Sequence, residues 1–182
     1  MKSKLGVPYE GFAEYCRVVA REGIVLLKNE QNCLPIKEEE KVSIFGRCQI
    51  EYYRSGTGSG GAVNVLYSTN LLESFLEYNA GMVNEKLVKV YKEYIQENPF
   101  DNGGGGWACE PWNQKELFLT KEIVEEAKAI SDKAIIVIGR TAGEDKDNLD
   151  TEGSYRMTEE ELNMLKQVSE VFDQVCVVLN IA

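Results

Sequence analysis

Apolar positions along this chain switch between two periods, and the switches mark its elements. From Tyr9 to Asn29 the residues Phe12, Tyr15, Cys16, Val19, Ile24, Leu26 and Leu27 recur at helical spacing, which predicts an amphipathic helix giving way to extended chain after Gly23. Lys41-Val-Ser-Ile-Phe-Gly46 then predicts a short strand. Ser68 to Tyr78 reads as a helix capped by Ser68 or Thr69, with Leu71, Leu72, Phe75 and Leu76 as its buried stripe. Asn84 to Glu97 repeats the pattern through Leu87, Val88, Val90, Tyr91, Tyr94 and Ile95 until Asn98-Pro99 stops it. Thr120 caps a further predicted helix to Ser131. Thr158-Glu-Glu-Glu161 is a capping box that opens another, through Leu162, Leu165, Val168 and Phe172.

Two apolar runs rich in β-branched residues separate these helices. Ala134-Ile-Ile-Val-Ile-Gly139 and Val175-Cys-Val-Val-Leu179 read as buried strands. Strand, helices, strand, helix, strand implies parallel pairing through right-handed crossovers. The expected fold is α/β, a doubly wound and mostly parallel sheet with helices on both faces, forming one α/β sandwich domain over residues 1–182. Its last apolar run meets the C-terminus with no covering helix, which predicts an incomplete sandwich or a final strand at the sheet edge.

The run that begins at Ala134 continues into Arg140-Thr-Ala-Gly-Glu-Asp-Lys-Asp-Asn148. A buried strand ending this way delivers Glu144 to the rim of the sheet, where open α/β sheets place their ligands. Glu144 is therefore the candidate for chemistry. Asp145, Asp147, Asp150 and Glu152 follow it, but a calcium-binding loop needs an oxygen ligand and then a glycine where Leu149 and Asp150 stand. A solvated acidic loop fits Asp150 and Glu152 better.

Composition narrows the chemistry further. Thirty acidic against 20 basic residues give a net charge of −10, and no basic stripe exists, which argues against nucleic acid or an anionic membrane as partner. No stretch approaches the roughly 18 apolar residues of a membrane span, and Met1 to Gly6 has no apolar run behind it. The five cysteines, at 16, 33, 48, 109 and 176, lack C-x-x-C spacing, and there is no histidine. No metal site and no cofactor are expected, and a Cys-His nucleophile within the chain is excluded. Cys16 and Cys176 read as core filler, and a reducing, cytoplasmic setting is expected. The pattern excludes no oligomer.

Gly56-Thr-Gly-Ser-Gly-Gly61 matches G-x-G-x-x-G by letter. The strand does not run directly into it, Ala62 to Leu66 looks extended rather than helical, and no G-K-[ST] follows, so a turn fits better than a phosphate cradle. Asn102-Gly-Gly-Gly-Gly-Trp107 reads as a flexible surface loop, since four glycines hold no fixed path without outside support. Trp107 offers either a stacking face for a sugar ring or, with Pro111 and Trp112, an anchor pinning the segment to the core. The anchor is the expected role.

Taken together these blocks resemble the α/β sandwich domain of glycoside hydrolase family 3. Ala20-Arg-Glu-Gly-Ile-Val-Leu-Leu-Lys-Asn29, Leu34-Pro35 and the strand Val42-Ser-Ile-Phe-Gly46 are similar to its opening. Arg54-Ser-Gly-Thr-Gly-Ser-Gly60 resembles its glycine-rich loop, Arg140 to Asp147 its acid/base loop, and Met157 to Leu165 the helix start that follows. Members are mostly β-glucosidases and related exo-acting glycosidases that remove terminal sugars. The resemblance implies that Glu144 is the general acid/base, with Asp147 at the family's aspartate, Asp145 where a glycine is common and Asn148 where an arginine is common. It also implies that Arg54, Ser55, Thr57, Ser59 and Trp107 lie near a carbohydrate substrate.

A retaining glycosidase needs two carboxyl groups. The resemblance puts the nucleophile on a (β/α)8 barrel, a fold of roughly 250 residues for which this chain has no room. Because Met1 opens directly into sandwich blocks, the chain resembles members with reversed domain order, whose barrel would follow residue 182. The isolated chain is then expected to be inactive. The alternative is a non-catalytic α/β ligand-binding or assembly module in which Glu144 only caps a turn.

Overall fold

The computed structural model describes residues 9–30, 33–61, 65 and 67–181. The expected extension at Ala62 to Leu66 lies outside the described residues apart from Val65, and the positively charged start lies outside them entirely. The order is α1 (Phe12–Gly23), β1 (Val42–Phe45), α2 (Leu71–Asn79), α3 (Glu85–Glu97), α4 (Lys121–Lys128), β2 (Lys133–Arg140), α5 (Glu159–Val171) and β3 (Gln174–Ile181). The strands form one parallel sheet in the order β1-β2-β3, with Ile136 of β2 paired to Phe45 on one side and Val177 on the other. This is the α/β class that alternating strand and helix patterns imply.

Every residue of the central strand β2 is buried, and between the charged ends Lys133 and Arg140 its run Ala134 to Ile138 is apolar on both faces. Ala134, Ile136 and Ile138 point into a cluster built with Leu87 and Tyr91 of α3, Val124 and Ala127 of α4, and Met164 and Val168 of α5. Ile135 and Val137 point the other way, against Leu72 of α2, Val83 and Val88. Helices thus cover both faces. Cutting Ile136 back to alanine would cost about 3 kcal/mol, the usual cost of a large core truncation.

Helix starts follow local chemistry. The α5 capping box forms as predicted, with Thr158 Oγ1 accepting the Glu161 N–H at 3.2 Å and Glu161 Oε2 accepting the Thr158 N–H at 2.9 Å. In α2 the cap is Asn70, whose Oδ1 accepts the Glu73 N–H at 2.7 Å, and not Ser68 or Thr69. Asparagine caps at least as well and stands one residue nearer the first turn. Thr120 occupies the N-cap position of α4 without a side-chain bond to the helix backbone.

The reading of Cys16 and Cys176 as core filler fails, since Cys16 is exposed and Cys176 only half-buried. α1 forms and ends at Gly23, with Ile24 extended after it, but none of its residues is buried. Cys16 is therefore exposed, Cys109 also, and among the five free thiols only Cys48 is buried. Amphipathic spacing specifies a helix but does not supply the surface that covers it. β3 pairs with β2 alone among the described strands, and Val177, Leu179 and Ile181 are exposed on one face.

Candidate functional site

At the carboxyl edge of the sheet, the segments leaving β1 and β2 run side by side. β1 turns at Gly46, with φ +97°, because a Cβ there would lie 2.2 Å from the Val137 carbonyl oxygen. The chain then climbs through Arg47 to Tyr53, whose N–H donates to Asn180 Oδ1 at 2.8 Å and whose carbonyl accepts from Asn180 Nδ2 at 3.0 Å. β3 thereby fixes where the glycine-rich loop begins. Next, Thr57 N–H donates to the Ala142 carbonyl at 2.9 Å, pairing this loop with the extension of β2.

The glycines of this loop have a steric purpose. A Cβ on Gly56 would meet the Ala142 oxygen at 2.2 Å, and one on Gly58 would meet Glu144 Cβ at 2.4 Å. The G-x-G letters therefore reflect a backbone lying against the Glu144 loop. That agrees with reading them as a turn.

Glu144 projects from a two-residue reversal. Gly143 N–H donates to the Lys146 carbonyl and Lys146 N–H to the Gly143 carbonyl, both at 3.1 Å. The side chain is exposed, and its Oε2 accepts the Ser59 backbone N–H at 2.9 Å. That N–H, helped by the Ser59 hydroxyl, holds the carboxyl below the usual glutamate range. In this domain Glu144 is an oriented, ionised carboxylate facing solvent.

Beside it opens a cleft of about 590 Å³ whose walls are Tyr52 to Gly58 with Gly61 and Ser68 on one side and Phe100, Asn102, Gly105 to Ala108 and Glu110 on the other. Arg54, Ser55, Thr57 and Trp107 line it, whereas Glu144, Ser59 and Asp147 stand outside the lining. Glu144 sits at the rim, since its neighbour Gly58 belongs to the wall. The far wall includes Glu110, which sequence reasoning missed because nothing in its local pattern marks it. Partial burial pushes its carboxyl up, opposed by the Lys146 ammonium.

The 101–112 segment takes a defined path, contrary to the flexible-loop reading. Gly103, Gly104 and Gly105 all have positive φ, and Gly103 N–H donates to Asp101 Oδ1 at 2.8 Å. Outside support comes from the Glu144 loop. Trp107 Nε1 donates to Asp145 Oδ2 at 2.8 Å and Trp112 Nε1 to the Asp147 carbonyl at 3.1 Å. Trp107 is not a core anchor: it is 55% exposed and is held by its edge.

Beneath the site lies a buried ion pair that the sequence reading did not identify. Arg140, the last residue of β2, meets both carboxylate oxygens of Glu161, NH1 to Oε1 at 2.5 Å and NH2 to Oε2 at 2.6 Å. Its Nε donates to the Ser154 carbonyl at 2.8 Å. One guanidinium thus ties the strand end, the returning loop and the first turn of α5 together. An arginine closing an apolar strand, 21 residues before the N3 position of a capping box, was the available signal.

The family model described as "Glycosyl hydrolase family 3 C-terminal domain" matches residues 24–182. The chain belongs to glycosyl hydrolase family 3. Among curated relatives, a beta-glucosidase from Ruminococcus albus is 42% identical over 170 residues, covering 93% of this chain and 18% of that protein. Beta-glucosidase A from Butyrivibrio fibrisolvens is 35% identical, covering 89% and 21%. This family 3 domain therefore spans about a fifth of the length of the curated relatives it matches. A solved beta-glucosidase from Paenibacillus barengoltzii superposes with a TM-score of 0.93 at 64% identity, covering 98% of this chain and 19% of that one. Beta-glucosidase 3B from Thermotoga neapolitana, in complex with alpha-D-glucose, gives 0.81 at 31% identity over 93% and 24%.

Proposed function

We propose that this chain is the acid/base-bearing domain of a retaining, exo-acting β-glucosidase-like enzyme that releases terminal sugars from glycosides or oligosaccharides. The observation that carries the reading is Glu144 itself: a carboxylate on a tight turn at the carboxyl edge of the sheet, oriented by Ser59 at the rim of a cleft. In this reading Glu144 donates a proton to the glycosidic oxygen and later takes one from water. Arg54, Ser55, Thr57 and Trp107 would meet the sugar or its leaving group, with Ser59 aiming Glu144 and Asp147 shaping the loop behind it. Trp107 keeps an exposed ring suited to the apolar face of a pyranose.

The partner carboxylate, a nucleophile about 5 to 5.5 Å from Glu144 in a retaining enzyme, is proposed to lie on a (β/α)8 barrel beyond residue 182. An acid must be protonated before it can donate, and in the domain alone Glu144 is held ionised. A covering domain that removed water from this rim would raise its pKa, which is why the isolated chain is proposed to be inactive. Five free cysteines suit a reducing, cytoplasmic setting, which forms part of the same proposal. No cofactor takes part in it.

Replacing Glu144 with alanine in the full-length enzyme tests the role. Hydrolysis of glucosides with poor leaving groups should fall by about 100-fold or more, while activated aryl glucosides, which need little protonation, should suffer far less. Equal slowing of both classes would remove the acid role. Turnover by the isolated chain at the full enzyme's rate would remove the division of the site between two domains.

A further inference from the structure

The turn that carries Glu144 has Glu144 and Asp145 as its two central residues. Asp145 sits at φ +59°, a left-handed conformation that the third residue of such a turn demands and that glycine adopts without strain. An aspartate tolerates this position better than most residues, at some conformational cost. Its side chain offers something glycine cannot, a carboxylate that accepts the Trp107 indole N–H at 2.8 Å. The next residues continue the contact. Lys146 Nζ lies 4.7 Å from the centre of the Trp112 ring and donates to the Ala108 carbonyl at 3.4 Å, and the Asp147 carbonyl accepts from Trp112.

Three consecutive residues after Glu144 are thus fastened to the 107–112 segment, while Thr57 and Ser59 hold Glu144 from the opposite side. We propose that Asp145 is a positioning residue, whose bond to Trp107 fixes the turn that aims Glu144 and links that aim to the cleft wall formed by the 101–112 loop. The inference rests on the acid/base reading of Glu144. Trp107 then has two separable parts: its ring face lines the cleft, and its N–H latches the turn.

The separation makes a test. In the full-length enzyme, aryl β-glucosides of graded leaving-group basicity are hydrolysed by Glu144→Ala, Asp145→Ala, Asp145→Gly, Asp145→Asn and Trp107→Phe variants. Trp107→Phe keeps a stacking face and loses the N–H; Asp145→Gly relieves the backbone and loses the acceptor; Asp145→Asn keeps an acceptor and tolerates positive φ. Glu144→Ala, Asp145→Ala, Asp145→Gly and Trp107→Phe, which lose the acid or the latch, should steepen the dependence on leaving group, with kcat for the poorest leaving groups down about tenfold in Asp145→Gly and Trp107→Phe, since small misplacements of a catalytic group have effects of at least this size. Asp145→Asn should stay within about threefold of the parent, and Trp107→Phe combined with Asp145→Gly should be no worse than the poorer single variant, as expected for two ends of one bond. An unchanged leaving-group dependence in both Asp145→Gly and Trp107→Phe, with Glu144→Ala steepened, overturns the latch and leaves the acid role standing. If Glu144→Ala shows no steepening, the acid role fails and the latch falls with it.

Discussion

Gly58 lies so close to Glu144 that a methyl group placed on it would meet the Glu144 Cβ at 2.4 Å and its Oε2 at 2.8 Å. The backbone at Gly58 also has φ +86°, which a side chain resists by roughly 1–2 kcal/mol. Gly58→Ala therefore has two consequences of different size. Stability in urea should fall by only about 1 kcal/mol because the loop can yield, whereas Glu144 must swing away from Ser59. In the full-length enzyme, kcat/KM for oligosaccharide hydrolysis should drop by about tenfold or more. Undiminished activity would show that the contact does not set the aim of Glu144.

Ser59 supplies that aim from the other end. Its backbone N–H is the main cause of the lowered Glu144 pKa, and its hydroxyl is the second. Ser59→Ala removes only the hydroxyl, so the Glu144 carboxyl should titrate at higher pH than in the parent chain, still below an ordinary glutamate. Carboxyl carbon shifts followed by NMR against pH, with Glu144→Gln to assign the resonance, read this directly. A midpoint that stays put or moves down would show that the hydroxyl does not hold the carboxylate.

Glu116 titrates in the opposite sense. It is buried, and its two oxygens accept the Arg47 N–H at 2.8 Å and the Leu117 N–H at 2.7 Å. Burial nevertheless dominates and pushes its carboxyl from an ordinary 4.5 up to about 7. Between those values the folded state binds the proton and the unfolded state does not. This contribution to stability is absent above 7 and grows as pH falls toward 4.5. Urea unfolding should show the chain about 2 kcal/mol more stable at about pH 5.5 than at about pH 8 from this group. The lowered carboxyls of Glu40 and Asp150 act the other way, but only once pH drops to the ordinary carboxylate range. Glu116→Gln should flatten the profile, and an unchanged slope in that variant would assign the effect elsewhere.

What could be read in the sequence was what local chemistry decides. The α5 capping box needs only Thr158 and Glu161, and the β2 strand needs only its apolar run, so both appear where the pattern puts them. Glu144 at the sheet edge follows from the strand that precedes it. The failures share one cause, dependence on a distant partner. Spacing alone puts Cys16 in the core, yet α1 has no buried residue. The Trp107 bond to Asp145 joins positions 38 residues apart, and no periodicity announces it. Glycine runs mislead in the same way: Gly103 is fixed by the Cys109 backbone, where a Cβ would lie 2.2 Å from the carbonyl carbon.

The Arg140–Glu161 pair should behave as a buried salt bridge that is costly to break and dispensable to replace. Both side chains are nearly inaccessible, at 8% and 5% exposure, and Glu161 also closes the α5 cap. Glu161→Ala leaves the guanidinium buried without its partner and should lower stability by about 3–5 kcal/mol in urea. Replacing both residues with apolar side chains of similar size, Arg140→Met with Glu161→Leu, should recover much of that loss, because no buried charge is stranded. Activity should not recover with it. Arg140 also bonds the Ser154 carbonyl, so the apolar pair leaves the returning half of the Glu144 loop without that tie. A double variant of near-parental stability whose full-length enzyme is still slow on poor leaving groups would separate the two roles. Full activity in that variant would reduce the pair to a structural part.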